Sequence, residues 1–388
     1  MKRISAAQAV GLFMLTLGMI ERPLPVMAQR VTTWEQFYFP ASHNWVFRNH
    51  YAAADRLFNA FDYGHAILYE RLWREPDGPV DRLEVEEYEF LTGSLLRNPP
   101  RLPLEEAAIA VTYSQLAPEA RQIFEWAHLL HRQIYDVLAD ERLLMEDKDA
   151  AVAELLQWYQ SRPDLALSSV PKSMDAMDGH PYSLAFRQRY PKFNGLIWAY
   201  HWMQIGLYEP LLVGTDVAAR AAGVSASVSR FWQMLESPVA SMPHLMPMAS
   251  GIAPVFAGRY PEAAIIFDNL HMMHDVISDI LVSETVPRAE KRAEILRAAD
   301  LFRSDEAWAV SVESWLRMGQ EMGPHNMGGS ASGLLTDPPL PTVPYGASMA
   351  GMDHGQGTPD HDSMHHTPDL PPSTPSVPET EPAPPHQH

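Results

Sequence analysis

Two stretches of this sequence combine acidic residues and histidines at a spacing that suits metal binding. Each contains the pattern acid-x-x-His-x-x-His, formed by Glu125, His128 and His131 in the first stretch and by Asp268, His271 and His274 in the second. Residues three apart lie on nearly the same face of an α-helix, so each pattern would direct a carboxylate and an imidazole toward one point. Both groups are common ligands of transition metals, and the two stretches together predict a metal site.

The segments that carry these patterns match each other. Residues 118–141 and 261–284 align without gaps at an offset of 143 residues, and 11 of 24 positions are identical. Segments of ordinary composition would share roughly one or two residues. Both segments begin with Pro-Glu, which is typical of a first helical turn. We interpret the match as an internal duplication, with a chance resemblance between two helices as the alternative.

A weaker match lies upstream of each pattern. Residues 57–72 align with residues 196–211 at an offset of 139, and 6 of 16 positions agree, including a Leu-Tyr-Glu triplet that ends at Glu70 and at Glu209. The two repeats would therefore span about 57–141 and 196–284. Each repeat would supply one helix with this Glu and one helix with the acid and histidine pattern.

The rest of the core also has helical periodicity. Apolar residues recur at three- and four-residue intervals through most of residues 30–320, and no segment has the alternation of a β-strand. Clusters of Pro, Gly and Asp separate the periodic segments. Hydrophobic residues make up 46% of the chain, which is ample for a buried core. We therefore predict an all-α, multi-helix bundle over residues 29–325.

This arrangement resembles that of the ferritin-like di-iron carboxylate proteins, in which two helices each provide a Glu and two others each provide Glu-x-x-His. The resemblance covers four helices and is one of pattern. It implies a pair of iron or manganese ions and an oxidative reaction with oxygen or peroxide. The ligands that it implies are Glu70, Glu125, His128, Glu209, Asp268 and His271. The chain departs from the family pattern in the shorter side chain of Asp268 and in the second histidine of each stretch.

Other residues could support or extend this site. The histidines concerned are His65, His131, His201 and His274. They could orient the ligands, or they could bind an ion themselves, in which case zinc, copper or haem would suit the site. His65 also follows an acid, Asp62, at the same spacing, and Asp136 and Asp279 are further candidates for orienting ligands. The chain has no cysteine, which excludes disulfides and covalently attached c-type haem.

The first 28 residues have the pattern of a secretory signal. The start is basic, residues 5–20 are apolar, and Val26-Met27-Ala28 provides a small residue for cleavage. The apolar run is shorter than the roughly 20 residues of a membrane-spanning helix, which favours cleavage over retention as an anchor. We predict a periplasmic or secreted protein with no later membrane span.

The C-terminal segment differs from the rest in composition. Residues 338–388 contain 13 of the 34 prolines and few large apolar residues, so we predict a disordered tail over residues 326–388. Its thioether and imidazole groups would suit copper, as in the Met/His-rich segments of periplasmic copper-handling proteins that it resembles. The candidate copper ligands are Met349, Met352, His354, His361, Met364, His365 and His366. A low-complexity tail with incidental histidines is the alternative.

Three functions are compatible with these features. The first is a metal-dependent oxidoreductase with a di-metal carboxylate and histidine centre. The second is a non-catalytic copper-binding protein that acts through its tail, and the third is a helical scaffold. Nucleic acid is excluded as a partner because a formal charge of −19 would repel phosphates.

Overall fold

The computed structural model describes residues 38–103, 105–332, 334 and 337–351. They contain no β-strand, and a single antiparallel bridge joins Lys172 to Ala309. The prediction of an all-α fold is therefore confirmed. No helix in this part of the chain is both long and apolar enough to cross a membrane. The predicted signal lies outside the described residues.

The helices vary widely in length. In chain order they are α1 (Val46–His50), α2 (Ala52–Arg74), α3 (Tyr88–Phe90), α4 (Val111–Leu116), α5 (Pro118–Ala139), α6 (Met145–Gln160), α7 (Asp175–Asp178), α8 (Ala185–Arg189), α9 (Pro191–Gly206), α10 (Tyr208–Val213), α11 (Val217–Met234), α12 (Ala249–Ile252), α13 (Pro254–Arg259), α14 (Pro261–Val282), α15 (Lys291–Arg303) and α16 (Val312–Glu321). Two π-helices, Arg82–Glu87 and Leu91–Leu95, flank α3. Short 3₁₀ turns cover Glu106–Ala108 and Pro324–Met327.

Four long helices, α2, α5, α9 and α14, form the centre of the fold. Helix α2 contacts both α9 and α14, and α14 also contacts α5. Every residue of α14 from Ala263 to Val282 is buried, as is every residue of α9 from Phe193 to Gly206. A helix that is enclosed on all sides must find partners inside the protein for each of its polar side chains. The buried polar side chains of these helices are therefore candidates for a binding site.

Carboxylates on the long helices cap the short ones. Asp136 on α5 accepts hydrogen bonds of 2.9 Å from two backbone N–H groups at the N-terminus of α1. Asp279 on α14 does the same for α8, with hydrogen bonds of 2.8 and 2.9 Å. The first N–H groups of a helix have no partner within it, so these carboxylates replace a local cap. Both residues thus stabilise helix ends, a role that the sequence did not predict for them.

The chain beyond residue 325 continues the packed structure up to residue 351. Tyr345 lies against Trp198 with ring centroids 5.7 Å apart, and its hydroxyl accepts a hydrogen bond of 2.8 Å from Asn194. Met349 is buried, and its N–H donates to Asp178 over 2.9 Å. The predicted tail therefore begins too early, because aromatic and apolar side chains anchor an extended segment that has no helical pattern. The other copper candidates lie outside the described residues.

Candidate metal centre

Six histidines meet at the centre of the bundle. They are His65 on α2, His128 and His131 on α5, His201 on α9, and His271 and His274 on α14. Each is at most 5% exposed. Ring contacts link the histidines of all four helices, such as that of His131 with His271 at a centroid distance of 6.0 Å. The two acid and histidine stretches therefore do face a common interior, together with histidines from the helices upstream of them.

Three of these residues, His65, His201 and His274, form the tightest group, which we call the histidine triad. Each residue has one ring nitrogen that lies within 4.8 Å of a ring nitrogen of each of the other two. Nε2 of His65 is 3.2 Å from Nε2 of His201, and the rings of His65 and His274 stack with centroids 4.4 Å apart. Bonds from a metal ion to imidazole nitrogen are about 2.0–2.1 Å long, which separates neighbouring ligand atoms by roughly 3.3 Å in a tetrahedral site. The nitrogens of the triad lie within 4.8 Å of one another and the rings are stacked, so the rings would have to rotate to direct their lone pairs at one ion.

Hydrogen bonding fixes the tautomer of His65. Its Nδ1 lies 2.9 Å from the carbonyl oxygen of Phe61. A carbonyl oxygen can only accept, so Nδ1 carries the proton and Nε2 presents a lone pair to the triad. A backbone carbonyl that orients the far nitrogen of a ring is the usual support of a metal-binding histidine.

Several ring nitrogens in the cluster have no hydrogen-bond partner among the described residues. The nitrogens without a partner are both ring nitrogens of His271 and of His274, Nδ1 of His201 and Nε2 of His131. A buried polar atom without a partner costs about 1–3 kcal/mol. Buried polar groups are hydrogen-bonded in most proteins, so these ring nitrogens are available to bind an ion or ordered water.

Burial keeps these histidines neutral. It lowers the pKa of His65 to about 4 and that of His128 to about 3. Burial also holds the pKa of His201 and His274 well below the ordinary value of 6.5. Neutral imidazole is the form that binds metal ions, so at neutral pH the cluster would not have to release protons from these rings to bind one.

Three of the four predicted carboxylate ligands are engaged elsewhere. Glu70 accepts hydrogen bonds of 2.8 and 3.1 Å from two backbone N–H groups at the N-terminus of α4, and Glu209 accepts hydrogen bonds of 3.1 Å at the N-terminus of α13. Asp268 accepts from the N–H of Ala249 over 2.9 Å and from the indole of Trp315 over 2.8 Å. The structure gives these three residues capping and packing roles in place of the predicted metal-binding role.

Glu125, the fourth predicted carboxylate, faces a small cavity beside the triad. Its Oε2 accepts a hydrogen bond of 2.5 Å from Arg121, whereas its Oε1 has no hydrogen-bond partner in the described part of the chain. The cavity has room for about one water molecule. Its walls are formed by Asp62, His65, Tyr69, Glu106, Phe124, Glu125, His128 and His274. Burial raises the pKa of Glu125, and it raises that of Asp62 to about 6.

Two residues near the centre were not predicted from the sequence. Glu106 lies on a 3₁₀ turn, where no helical spacing relates it to the histidines. The hydroxyl of Tyr208 lies 2.7 Å from Nδ1 of His131. Tyr208 is the middle residue of the Leu-Tyr-Glu triplet and the first residue of α10. The triplet is a signal that could have identified Tyr208, but nothing in the sequence marks Glu106.

A comparison with protein families, curated proteins and solved structures finds no match to this chain. The interpretation of the histidine cluster therefore depends on its geometry and chemistry alone.

Proposed function

We propose that this protein binds a first-row transition metal ion in its interior through the histidine triad. The observation that carries the proposal is the convergence of three buried imidazoles, from three different helices, whose ring nitrogens lie within 4.8 Å of one another. The ring nitrogens that lack partners support it, because an ion would bind lone pairs of His201 and His274 that are otherwise unsatisfied in the core. The carbonyl behind His65 supports it too, because that contact leaves the lone pair of Nε2 directed at the triad, where it accepts a hydrogen bond from Nε2 of His201 that an ion would replace.

The donor set favours ions that prefer nitrogen. Imidazole suits zinc, copper, iron and nickel, whereas manganese prefers oxygen ligands. This centre would thus be richer in nitrogen than the carboxylate centre of the ferritin-like proteins, since Glu70, Glu209 and Asp268 bind helix ends or an indole. The adjoining cavity has room for about one water molecule, and an oxidative reaction at the ion remains a prediction.

We also propose that the two halves of the domain derive from a duplicated helical unit. Support comes from residue pairs at the sequence offsets of 139 and 143 that make equivalent contacts. Each pair caps an equivalent helix end: Glu70 and Glu209 cap α4 and α13, Asp136 and Asp279 cap α1 and α8, and Lys148 and Lys291 donate to the last carbonyl groups of α5 and α14. Chance resemblance between two helices would not reproduce three equivalent pairs of capping contacts.

Export and copper binding by the tail are separate predictions. The signal and all but one of the tail ligands lie outside the described residues. Met349, the exception, is buried against the helical domain, so its thioether is not presented to the solvent as a copper-collecting segment would require.

The metal content of the purified protein tests the proposed function. Metal-free protein is loaded with zinc or cobalt, separated from unbound ions, and measured by elemental mass spectrometry. We expect wild type to hold about one ion per chain more than His201→Ala or His274→Ala, because each variant removes a ligand from the triad. His43→Ala is the matched control, since His43 is also buried but lies outside the cluster. Equal metal content in wild type and both triad variants would contradict the proposal.

A further inference from the structure

The ion proposed for the histidine triad would receive only three ligands from the side chains around it. Among the described residues, no fourth His, Asp or Glu offers a ligand atom within 4.8 Å of all three triad nitrogens. Zinc is almost always bound by four ligands, and a zinc site with three protein ligands holds water or a reacting molecule in the fourth position. The triad therefore leaves one coordination position for a ligand that is not one of these side chains.

The small cavity beside the triad borders two of the three ligands. His65 and His274 form part of its wall, and the cavity has room for about one water molecule. His274 is 1% exposed, and neither of its ring nitrogens has a hydrogen-bond partner in the described part of the chain. Acidic side chains in the wall alone would not indicate a ligand, but an unpartnered imidazole beside a water-sized space does.

The same cavity offers hydrogen-bond partners for a water molecule. A buried water makes roughly two to four hydrogen bonds to its surroundings. Asp62 and Glu125 line the cavity, and Oδ1 of the first and Oε1 of the second have no hydrogen-bond partner among the described residues. Arg132 lies 2.8 Å from the other oxygen of Asp62. Arg121 lies 2.5 Å from the other oxygen of Glu125. Each acid thus keeps one acceptor, and the two acceptors match the two O–H groups of one water molecule.

We propose that one water molecule occupies this cavity as the fourth ligand of the ion in the triad, and that it donates hydrogen bonds to Asp62 and Glu125. This inference rests on the proposed function of the triad. The water oxygen binds the ion through a lone pair, so the step changes no oxidation state. The two acids are positioning residues, because they hold the water and do not bind the ion. The open position therefore takes a ligand with a single oxygen atom, and a larger molecule would fit only if the wall moved.

Oxygen-17 labelling tests the water ligand. Full-length protein is loaded with cobalt(II) and freed of unbound ions, and its electron paramagnetic resonance spectrum is recorded in ordinary water and in water enriched in oxygen-17. The oxygen-17 nucleus is magnetic, so it broadens the cobalt signal when its oxygen is bound to the ion. The spectrum of His201→Ala protein, which lacks one ligand of the triad, is subtracted to remove cobalt that binds elsewhere. We expect the remaining signal to be broadened.

The two ways in which this experiment can fail are distinguishable. A remaining cobalt signal that is not broadened would overturn the water ligand and leave the triad intact. Equal cobalt content in wild type and His201→Ala would contradict the proposed function of the triad, and the water ligand with it.

Substitution of Glu125 tests the place of the water. In Glu125→Gln the amide oxygen accepts from Arg121, so the NH₂ group takes the place of the carboxylate oxygen that has no partner. An NH₂ group only donates, so the water loses an acceptor and its protons change direction. The strongest proton couplings to cobalt that disappear in D₂O, measured by electron–nuclear double resonance, should therefore shift, with the cobalt content unchanged. Glu119→Gln, at an exposed position on the same helix, is the matched control and should give the wild-type couplings.

Two results would contradict this placement. Couplings in Glu125→Gln that equal those of wild type would place the water outside the cavity and overturn the proposal. A lower cobalt content in Glu125→Gln than in Glu119→Gln would make Glu125 a ligand of the ion instead of a positioning residue.

Discussion

Helices α5 and α14 carry the same sequence pattern but present different chemistry to the centre of the fold. Each contributes two buried histidines to the cluster. The acid that precedes them differs in its surroundings. Glu125 turns an unpartnered oxygen into a cavity, whereas both oxygens of Asp268 accept hydrogen bonds, from Ala249 and Trp315. Helical spacing thus predicts which groups share a face, but the neighbouring segments decide whether a carboxylate is free to interact with an ion.

Helices α2 and α9 differ in a complementary way. Asp62 on α2 and His201 on α9 occupy matching positions at the offset of 139 residues. Asp62 pairs with Arg132 beside the cavity, whereas His201 joins the triad. Each of the two matching segments, residues 57–141 and 196–284, contributes three histidines to the cluster, but the second one supplies two of the three members of the triad. The acids that line the cavity come from the first segment and the turn within it.

The largest expected difference between the halves concerns the two capping glutamates. Glu209 is completely buried and accepts two backbone N–H groups and the hydroxyl of Ser332, whereas the side chain of Glu70 is 14% exposed. We expect Glu209→Ala to lower the free energy of unfolding by about 3 kcal/mol, because it strands several buried donors. Glu70→Ala should cost about 1 kcal/mol, as for an ordinary helix cap. Urea denaturation of both variants measures the difference, and equal losses would show that burial does not distinguish the two caps.

A smaller difference is expected between the acids of the two histidine stretches. Asp268→Ala leaves the indole of Trp315 and the N–H of Ala249 buried without an acceptor, and should cost about 2 kcal/mol. Glu125→Gln keeps the side-chain volume and an oxygen that accepts from Arg121, and the oxygen that has no partner loses nothing, so this variant should cost about 1 kcal/mol. Denaturation is again the measurement, on metal-free protein. A larger loss in Glu125→Gln than in Asp268→Ala would reverse our assignment of which acid is structural.

The last expected difference, which is small only when it is expressed per pH unit, is a pH dependence that involves His65. The matching residue of the second half is Gln204, so His65→Gln makes the two halves alike at this position. Burial lowers the pKa of His65 from 6.5 to about 4, so as the pH falls through this range the unfolded chain gains a proton that the folded protein does not. The stability of wild type should therefore fall relative to His65→Gln by about 1 kcal/mol per pH unit.

Denaturation at several pH values between 6.5 and 4, in the presence of a chelator, measures this difference. The two proteins are compared at each pH, so that the titration of the buried acids, which they share, cancels. A stability difference that does not change with pH would contradict the buried, neutral state of His65.

The sequence predicted the fold class and the meeting of the two histidine stretches, because both depend on helical periodicity and on spacing within one helix. It did not predict that Glu70 and Glu209 cap other helices, since a cap joins residues about 40 positions apart through a turn whose path the spacing does not determine. Glu106 was missed for the same reason, as its relation to the cavity arises from packing. The segment up to residue 351 was misjudged because a few anchoring residues, such as Tyr345 and Met349, outweigh a composition that is poor in apolar residues.

The most direct test of the metal centre is X-ray absorption spectroscopy of zinc-loaded protein, since this method reports the ligand atoms themselves. We predict a first shell that contains about three nitrogens at roughly 2.0–2.1 Å, with the outer-shell scattering of imidazole rings, and the loss of that scattering in His274→Ala. A shell of oxygen atoms without imidazole scattering would contradict the histidine triad as the metal site.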